Sequence, residues 1–202
     1  MEVEGDCMKG YFVQYKFILP KDIKHSSYTY QKLFRAIYGY SQQVSKSNGK
    51  TYVYHRHGIL SEHPFIKHGK NCVVIPQEKF SELINFFKTG KNPSHAWTIK
   101  GDWKAVYYLN EKEVDESEVA NSLETLLNRT YIVNPSKEHG LLLSEMENAK
   151  KQILDKKNLD PVFSKTILAE SKKILNNSWF KEVYSKSDKL KYFHSLYTFL
   201  KG

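Results

Sequence analysis

Apolar residues alternate with polar ones near the start of the chain and then recur at helical spacing. The alternation over 11–19 predicts a strand, because successive side chains of a strand point to opposite faces. A helix capped by Ser26 or Ser27 is predicted next, and Gly39 ends it. The apolar faces of these two elements consist of Tyr11, Val13, Tyr15, Phe17 and Leu19 in the strand and of Tyr30, Leu33, Phe34 and Ile37 in the helix.

The same alternation of strand and helix continues to about residue 110. A short buried strand is predicted over 71–75, and apolar residues at helical spacing predict a helix over 80–87. A second hairpin is predicted over 96–109, because Gly101-Asp102 is a favourable turn between two runs rich in aromatic residues. The N-terminal part is therefore expected to form a sheet covered by helices.

Beyond Asn110 the apolar spacing is helical throughout. One predicted helix begins at Asp160-Pro161, which is a capping residue followed by proline at the first helical position. Asn134-Pro135 breaks the pattern, so two domains are predicted: a basic, aromatic-rich α+β domain over 11–133 and a helical domain over 134–202. The predicted fold class is α+β, with a small, mostly antiparallel sheet and helices in the N-terminal part, followed by an all-α C-terminal region.

The stretch from Gln42 to Pro76 begins with a predicted hairpin that turns at Asn48-Gly49, the strongest short-range signal for a two-residue turn. That turn places Ser45 opposite Tyr52, Gln43 opposite Tyr54 and Ser41 opposite Arg56. Tyr52, Tyr54 and Arg56 then share one face with Gln43 and Ser45. Val44 and Val53 meet on the other face, which is the expected core side. The hairpin is expected to expose two tyrosines and an arginine.

Positive charge is concentrated in the same half of the chain. The formal net charge is +9, and residues 11–110 carry 15 Lys or Arg against 5 Asp or Glu, whereas residues 111–202 carry 15 against 14. Six of the eight histidines and 19 of the 28 aromatic residues also lie within 11–110. Mixed cations and aromatic rings favour a polyanionic partner over a merely solvated basic surface.

We therefore predict a protein that binds nucleic acid, with RNA or single-stranded DNA favoured over duplex DNA. Aromatic side chains stack on unpaired bases, and lysine and arginine pair with phosphates. Tyr52 and Tyr54 are the predicted stacking residues. The predicted cationic contacts are Lys46, Lys50, Arg56, Lys67, Lys70, Lys100 and Lys104.

A metal-independent ribonuclease is the second hypothesis. Such chemistry needs a general base, a general acid and a cation near the phosphorus, and the candidate residues are His55, His57, His63, Tyr54 and Lys67. The closely spaced ligand types His55, His57, His63, His68 and Cys72 suggest a zinc site as a further alternative. Their spacing matches no standard zinc pattern, so no metal or other cofactor is predicted.

The third hypothesis is a protein-interaction scaffold in which the basic half binds an acidic protein. Under any of these hypotheses, the C-terminal helices are a candidate surface for a protein partner or for self-association. No apolar run reaches the ~18 residues of a membrane span. Cys7 and Cys72 are the only cysteines, too few for a disulfide framework, so a cytoplasmic location is predicted.

The order of helix, three strands and helix over 26–88 resembles that of double-stranded-RNA-binding domains. The wider alternation resembles the αββαββα unit of LAGLIDADG endonucleases. The first helix ends in AIYGY, without the acidic residue with which that endonuclease family binds its metal. The diagnostic residues of both families are missing, so both likenesses concern the order of elements alone.

Overall fold

The computed structural model describes residues 7–24, 26–47, 49–92, 98–134 and 137–202. The chain divides into two compact units, one formed by Gly10–Lys112 and the other by Met1–Lys9 with Glu113–Gly202. Helices and small antiparallel sheets are both present, which confirms the predicted α+β class. None of the helices in the described ranges is long and apolar enough to cross a membrane.

The unit Gly10–Lys112 contains a four-stranded sheet with two helices on one face. Its strands are β1 (Cys7–Ile18), β4 (Ile66–Lys67), β5 (Cys72–Ile75) and β6 (Lys104–Asp115), in the spatial order β4-β5-β1-β6, and its helices are α1 (Tyr28–Tyr38) and α2 (Gln77–Thr89). Strands β1 and β5 pair antiparallel, with Tyr11 opposite Ile75 and Val13 opposite Val73. This order of strands and crossover helices is that of a split βαβ unit. A separate two-stranded sheet, β2 (Tyr40–Ser45) and β3 (Thr51–Arg56), is inserted between α1 and β4.

Aromatic rings fill the core between this sheet and its helices. Val13, Tyr15 and Phe17 of β1 are buried, as the alternating pattern predicts. The Phe17 ring makes edge-on contacts with Phe34 of α1 at 5.4 Å and with Phe87 of α2 at 6.0 Å between centroids. Full burial of one such ring is worth about 1.5–3 kcal/mol. Both helices are thus held on the sheet by side chains that the apolar spacing identifies.

The C-terminal end of α1 is closed by the segment that follows β3. The amide of Gly39, which has a φ of 72°, donates to the carbonyl of Arg35. The amides of Ile59 and Leu60 donate to the next two carbonyls, those of Ala36 and Ile37. The Ser61 hydroxyl completes the set by donating to the carbonyl of Tyr38 at 3.1 Å. All four terminal carbonyls of the helix are therefore satisfied within the protein, where helix ends usually need water or a capping side chain.

Gly58 allows this close approach. A Cβ on Gly58 would lie 2.2 Å from the amide nitrogen of Gly39 and 2.7 Å from the carbonyl oxygen of Ile37, so no larger residue fits without moving the backbone. The amide of Gly58 donates to the Ser61 hydroxyl at 2.7 Å. The two ends of the inserted hairpin are thus held together at the end of α1.

The second predicted hairpin, over 96–109, does not form among the described residues. Thr98 instead makes an antiparallel bridge with Lys91, while β6 lies beside β1 in the sheet. Trp103, next to the predicted Gly101-Asp102 turn, packs edge-on against Phe17 at 5.8 Å, and its indole donates to the Ile99 carbonyl. Packing of this partly buried ring against the core and pairing of β6 with β1 override the local turn signal. The start of the predicted hairpin, 96–97, lies outside the described residues.

The second unit is mainly helical. Its described elements are α3 (Glu116–Arg129), β7 (Tyr131–Asn134), β8 (Lys137–Leu141), α4 (Leu142–Leu154), α5 (Pro161–Leu175), α6 (Ser178–Val183), a 3-10 turn (Tyr184–Lys186) and α7 (Asp188–Lys201). Asp160 caps α5 through the amide of Phe163, as the Asp-Pro signal predicts. The paired strands β7 and β8 are not predicted, and they lie where Asn134-Pro135 indicates only a break; of the two, β8 falls within the region predicted to be all-α.

The two units meet in sequence at Lys112 and Glu113, whereas the pattern places the domain boundary near Asn134. Helix α3 accounts for the difference. It packs against α4, α6 and α7, and its apolar face, including Val119 and Leu123, is buried. By its packing, α3 belongs to the same compact unit as the helices that follow it.

Replacement of Ser61 by alanine is expected to destabilise the protein by about 1–3 kcal/mol. The change removes the donor to the Tyr38 carbonyl and leaves the buried Gly58 amide without its acceptor. Urea denaturation of both proteins measures the difference. Ser45→Ala, at an exposed serine of the hairpin, is the matched control and should stay within about 0.5 kcal/mol. Equal stability of Ser61→Ala and wild type would contradict this role of Ser61.

Alkaline pH is expected to destabilise the fold through the pair formed by the buried Tyr15 and the partly buried Tyr38. The Tyr15 hydroxyl donates to that of Tyr38 at 3.0 Å, and burial raises the pKa of both hydroxyls above the ordinary value of 10.0. The unfolded chain releases these protons near pH 10 while the folded chain retains them, so stability is complete below that pH and falls above it. In urea titrations at about pH 8 and about pH 10.5, Tyr15→Phe should lose less stability than wild type. An equal loss in both proteins would contradict the assignment.

Candidate nucleic-acid interface

The hairpin forms, but its register differs by one residue from the prediction. Val44 is paired with Tyr52, Gln42 with Tyr54 and Tyr40 with Arg56. The amide of Lys46 donates to the Lys50 carbonyl, the amide of Gly49 donates to the Lys46 carbonyl, and Gly49 has a φ of 75°. These bonds are typical of a three-residue loop with glycine in the left-handed position, not of the predicted two-residue turn. Asn48 lies outside the described residues.

This register changes which side chains share a face. Directly opposite residues point the same way, so one face, here called the aromatic face, consists of Tyr40, Gln42, Val44, Tyr52, Tyr54 and Arg56. The prediction that Gln43 and Ser45 share a face with the tyrosines is wrong, because both lie on the other face with Val53. Val53 is 37% exposed, so the prediction that its face of the hairpin packs against the core is also wrong. No described side chain of β2 or β3 is buried, and the hairpin therefore adds nothing to the core.

Cations lie over the rings of the aromatic face. The Lys46 ammonium is 4.6 Å from the centroid of the half-buried Tyr52 ring, and Cζ of Arg56 is 6.0 Å from that of Tyr54. Tyr54 is 40% exposed, and Arg56 is exposed as well. Such pairs contribute about 0.5–1 kcal/mol each at exposed sites. The face thus presents aromatic and cationic groups side by side at the surface.

Tyr40 belongs to the aromatic face but was not among the predicted site residues. The Cζ atom of Arg35 in α1 lies 4.7 Å from its ring centroid. No Asp or Glu occurs in the sequence between Asp22 and Glu62, so neither α1 nor the hairpin carries a carboxylate. This local absence of acidic residues is a sequence signal that could have extended the predicted site to α1.

The other predicted cations are distributed over the unit. Lys50 is exposed in the hairpin turn, and the Lys67 ammonium lies 5.1 Å from the ring centroid of Tyr38 at the end of α1. Lys70 is exposed in the turn between β4 and β5. Lys100 and Lys104 are exposed before and at the start of β6. Lys46 and Arg56 are predicted cations that contact rings of the aromatic face.

Two of the histidines that are close in sequence, His55 and His68, have separate surroundings in the structure. His55 lies on the face opposite the tyrosines, with its Nδ1 atom 2.9 Å from the Ser41 hydroxyl oxygen. His68 contacts Phe12, with ring centroids 6.5 Å apart, and its Nε2 atom is 3.1 Å from the Lys112 ammonium. Among the described residues, no group of three or more metal-ligating side chains is close enough to hold an ion.

His57 and His63 do meet in one cleft. The cleft has a volume of about 320 Å³ and is lined by His57, Gly58, Ile59, Glu62, His63, Lys79 and Glu82. Nδ1 of His57 is 3.6 Å from a carboxylate oxygen of Glu62, and the Lys79 ammonium donates to Glu82 at 2.7 Å. Two imidazoles, an ammonium and two carboxylates therefore line a space next to the base of the hairpin.

Comparison with known proteins assigns no family to this chain, because no family model, curated protein or solved structure matches it.

Proposed function

We propose that this protein binds single-stranded nucleic acid, with RNA or unpaired DNA as the ligand, through the aromatic face of the hairpin. The observation that carries the proposal is the exposed Tyr54 ring beside Arg56, on a hairpin without carboxylates. Exposed rings and cations side by side supply the two contacts that single strands use, which are base stacking and phosphate pairing.

The exposed rings favour an unpaired strand over a duplex. A duplex keeps its bases stacked on each other, so a protein that contacts only its phosphates gains nothing from tyrosines at the surface. A single strand can turn a base onto the face of a ring, which is worth about 1–3 kcal/mol per base. Tyr52 and Tyr54 are two positions apart on β3, so their rings follow each other along one face.

The cations over the rings are compatible with base stacking. A base that stacks on Tyr52 takes the place of the Lys46 ammonium, which lies 4.6 Å from the ring centroid. The exchange loses about 0.5–1 kcal/mol of cation–π interaction free energy and gains about 1–3 kcal/mol of stacking free energy. The displaced ammonium stays within reach of a phosphate of the same nucleotide. Lys46 and Arg56 thus cover the rings in the free protein and neutralise the strand in the complex.

The double variant Tyr52→Ala, Tyr54→Ala is expected to bind a single-stranded RNA more than tenfold more weakly, because two stacked bases lose their platform. Fluorescence anisotropy with a labelled oligonucleotide at fixed salt measures the affinity. Tyr192→Ala is the matched control, since Tyr192 is exposed to a similar degree, 42%, but lies in the helical unit. Circular dichroism checks that each variant is folded. Unchanged affinity in a folded double variant would show that the aromatic face is not the binding site.

A metal-independent ribonuclease is the second candidate, supported by the cleft that contains both His57 and His63. One neutral imidazole would take the proton of a ribose 2′-hydroxyl as this oxygen attacks the adjacent phosphorus. The other, protonated, would give its proton to the 5′-oxygen as the P–O5′ bond breaks, which leaves a 2′,3′-cyclic phosphate. The Lys79 ammonium is the nearby cation. His55, Tyr54 and Lys67 are not among the residues that line this cleft.

The ribonuclease candidate predicts RNA cleavage that persists in EDTA and yields 2′,3′-cyclic phosphate ends. His57→Ala and His63→Ala should each slow the reaction by about 100-fold or more, as loss of a general acid or base does. His55→Ala is the control, because His55 lies on the hairpin beside Ser41, and should retain the rate. Denaturing electrophoresis of labelled RNA measures cleavage. RNA that stays intact but migrates more slowly in a native gel would establish binding without cleavage.

A further inference from the structure

Helix α1 carries a second set of aromatic and cationic side chains. Tyr28 is 63% exposed, and the Lys32 ammonium and Cζ of Arg35 lie 5.4 and 5.8 Å from its ring centroid. Residues 28, 32 and 35 are four and three positions apart, so they share one side of the helix. Gln31 holds the Arg35 guanidinium in place by accepting a hydrogen bond from Nη2 at 3.2 Å.

Arg35 connects this side of α1 to the aromatic face of the hairpin. Its guanidinium contacts two rings, with Cζ 5.8 Å from the centroid of Tyr28 and 4.7 Å from that of Tyr40. Tyr40 is paired across the hairpin with Arg56, which lies against Tyr54. Rings and cations therefore alternate from α1 to β3 in the order Tyr28, Arg35, Tyr40, Arg56, Tyr54, with Tyr40 and Arg56 joined by their cross-strand pairing.

We propose that the nucleic-acid site extends from the hairpin onto α1, so that one single strand binds along both elements. This inference rests on the proposed function of the aromatic face. Tyr28 provides a stacking position beyond the hairpin, and Arg35 provides the phosphate contact between Tyr28 and Tyr40. A planar guanidinium both stacks on rings and forms paired hydrogen bonds with a phosphate, which suits this position better than lysine would.

Charge and length identify the ligand as an extended polyanion. The chain between Asp22 and Glu62 has the cations Lys24, Lys32, Arg35, Lys46, Lys50 and Arg56 and no carboxylate, so nothing within this segment neutralises them. A six-residue strand such as β3 spans about 20 Å, and the eleven residues of α1 span about 16 Å along the helix axis. A ligand that contacts both elements must be several nucleotides long, within the range of about 4–16 nucleotides seen for single-strand sites.

The test separates the two parts of the site by ligand length. Wild type, Tyr54→Ala and Tyr28→Ala are titrated with uridine oligonucleotides of about 4 and about 12 residues at fixed salt. Tyr54→Ala should weaken binding of both lengths. Tyr28→Ala should weaken binding of the longer strand by about tenfold and change that of the shorter strand by less than about twofold, because only the longer strand reaches α1. Tyr28 is largely exposed, so this variant is expected to fold.

Arg35→Lys keeps the positive charge but removes the planar guanidinium, so it tests the role of that group. This variant should selectively weaken binding of the longer strand, as Tyr28→Ala does. Tyr192→Ala should leave the affinities for both strands unchanged. If Tyr54→Ala weakens binding but neither Tyr28→Ala nor Arg35→Lys does, the extension onto α1 is overturned and the hairpin site remains. Failure of the wild type to bind either strand would reject the proposed function itself. A polyglutamate peptide that binds as tightly as the longer strand, with the same loss in Tyr28→Ala, would overturn the proposal in favour of an acidic protein partner.

Discussion

The closure of the α1 C-terminus is the interaction on which the candidate site depends. Four successive carbonyls, from Arg35 to Tyr38, receive hydrogen bonds from Gly39 and from residues 59–61. Gly39 precedes the hairpin and Ile59 follows it, so the same set of bonds fixes both ends of the insertion. No side chain of the two hairpin strands, which the structure describes in full, is buried. Its position relative to α1 is therefore set at its base, and the Arg35–Tyr40 contact adds a second point of attachment.

The core below this closure determines how firmly the base is held. Leu33, Ala36 and Ile37 of α1 are buried, and the Phe17 ring of β1 packs against Phe34. These contacts lie on one side of the helix, while Tyr28, Lys32 and Arg35 lie on the other. The folding requirement and the candidate binding surface thus use different residues of the same helix. Substitutions on the polar side can change binding without a large change in stability, which makes the two properties experimentally separable.

Much of the core could be predicted from the sequence, whereas the detail of the site could not. The buried stripes of β1 and α1 follow from apolar periodicity, because one face of each element must leave water. The hairpin lacks a buried face, so nothing in its hydrophobic pattern distinguishes two registers that differ by one residue. Asn48-Gly49 fits a two-residue turn and also a three-residue loop with glycine in the left-handed position. The one-residue difference replaces Gln43 and Ser45 by Gln42 and Val44 beside the tyrosines.

An isolated hairpin with exposed rings would normally be a liability, since both strands have free edges and two-stranded sheets are marginal in water. Here the Lys46 ammonium lies over Tyr52, and the Arg56 guanidinium lies beside Tyr54. The charges cover these rings and oppose pairing of the hairpin with another edge strand, because like charges would meet. A polyanion reverses this effect by neutralising the same cations and stacking on the same rings. The features that protect the free hairpin from association are therefore those that favour a single strand as its ligand.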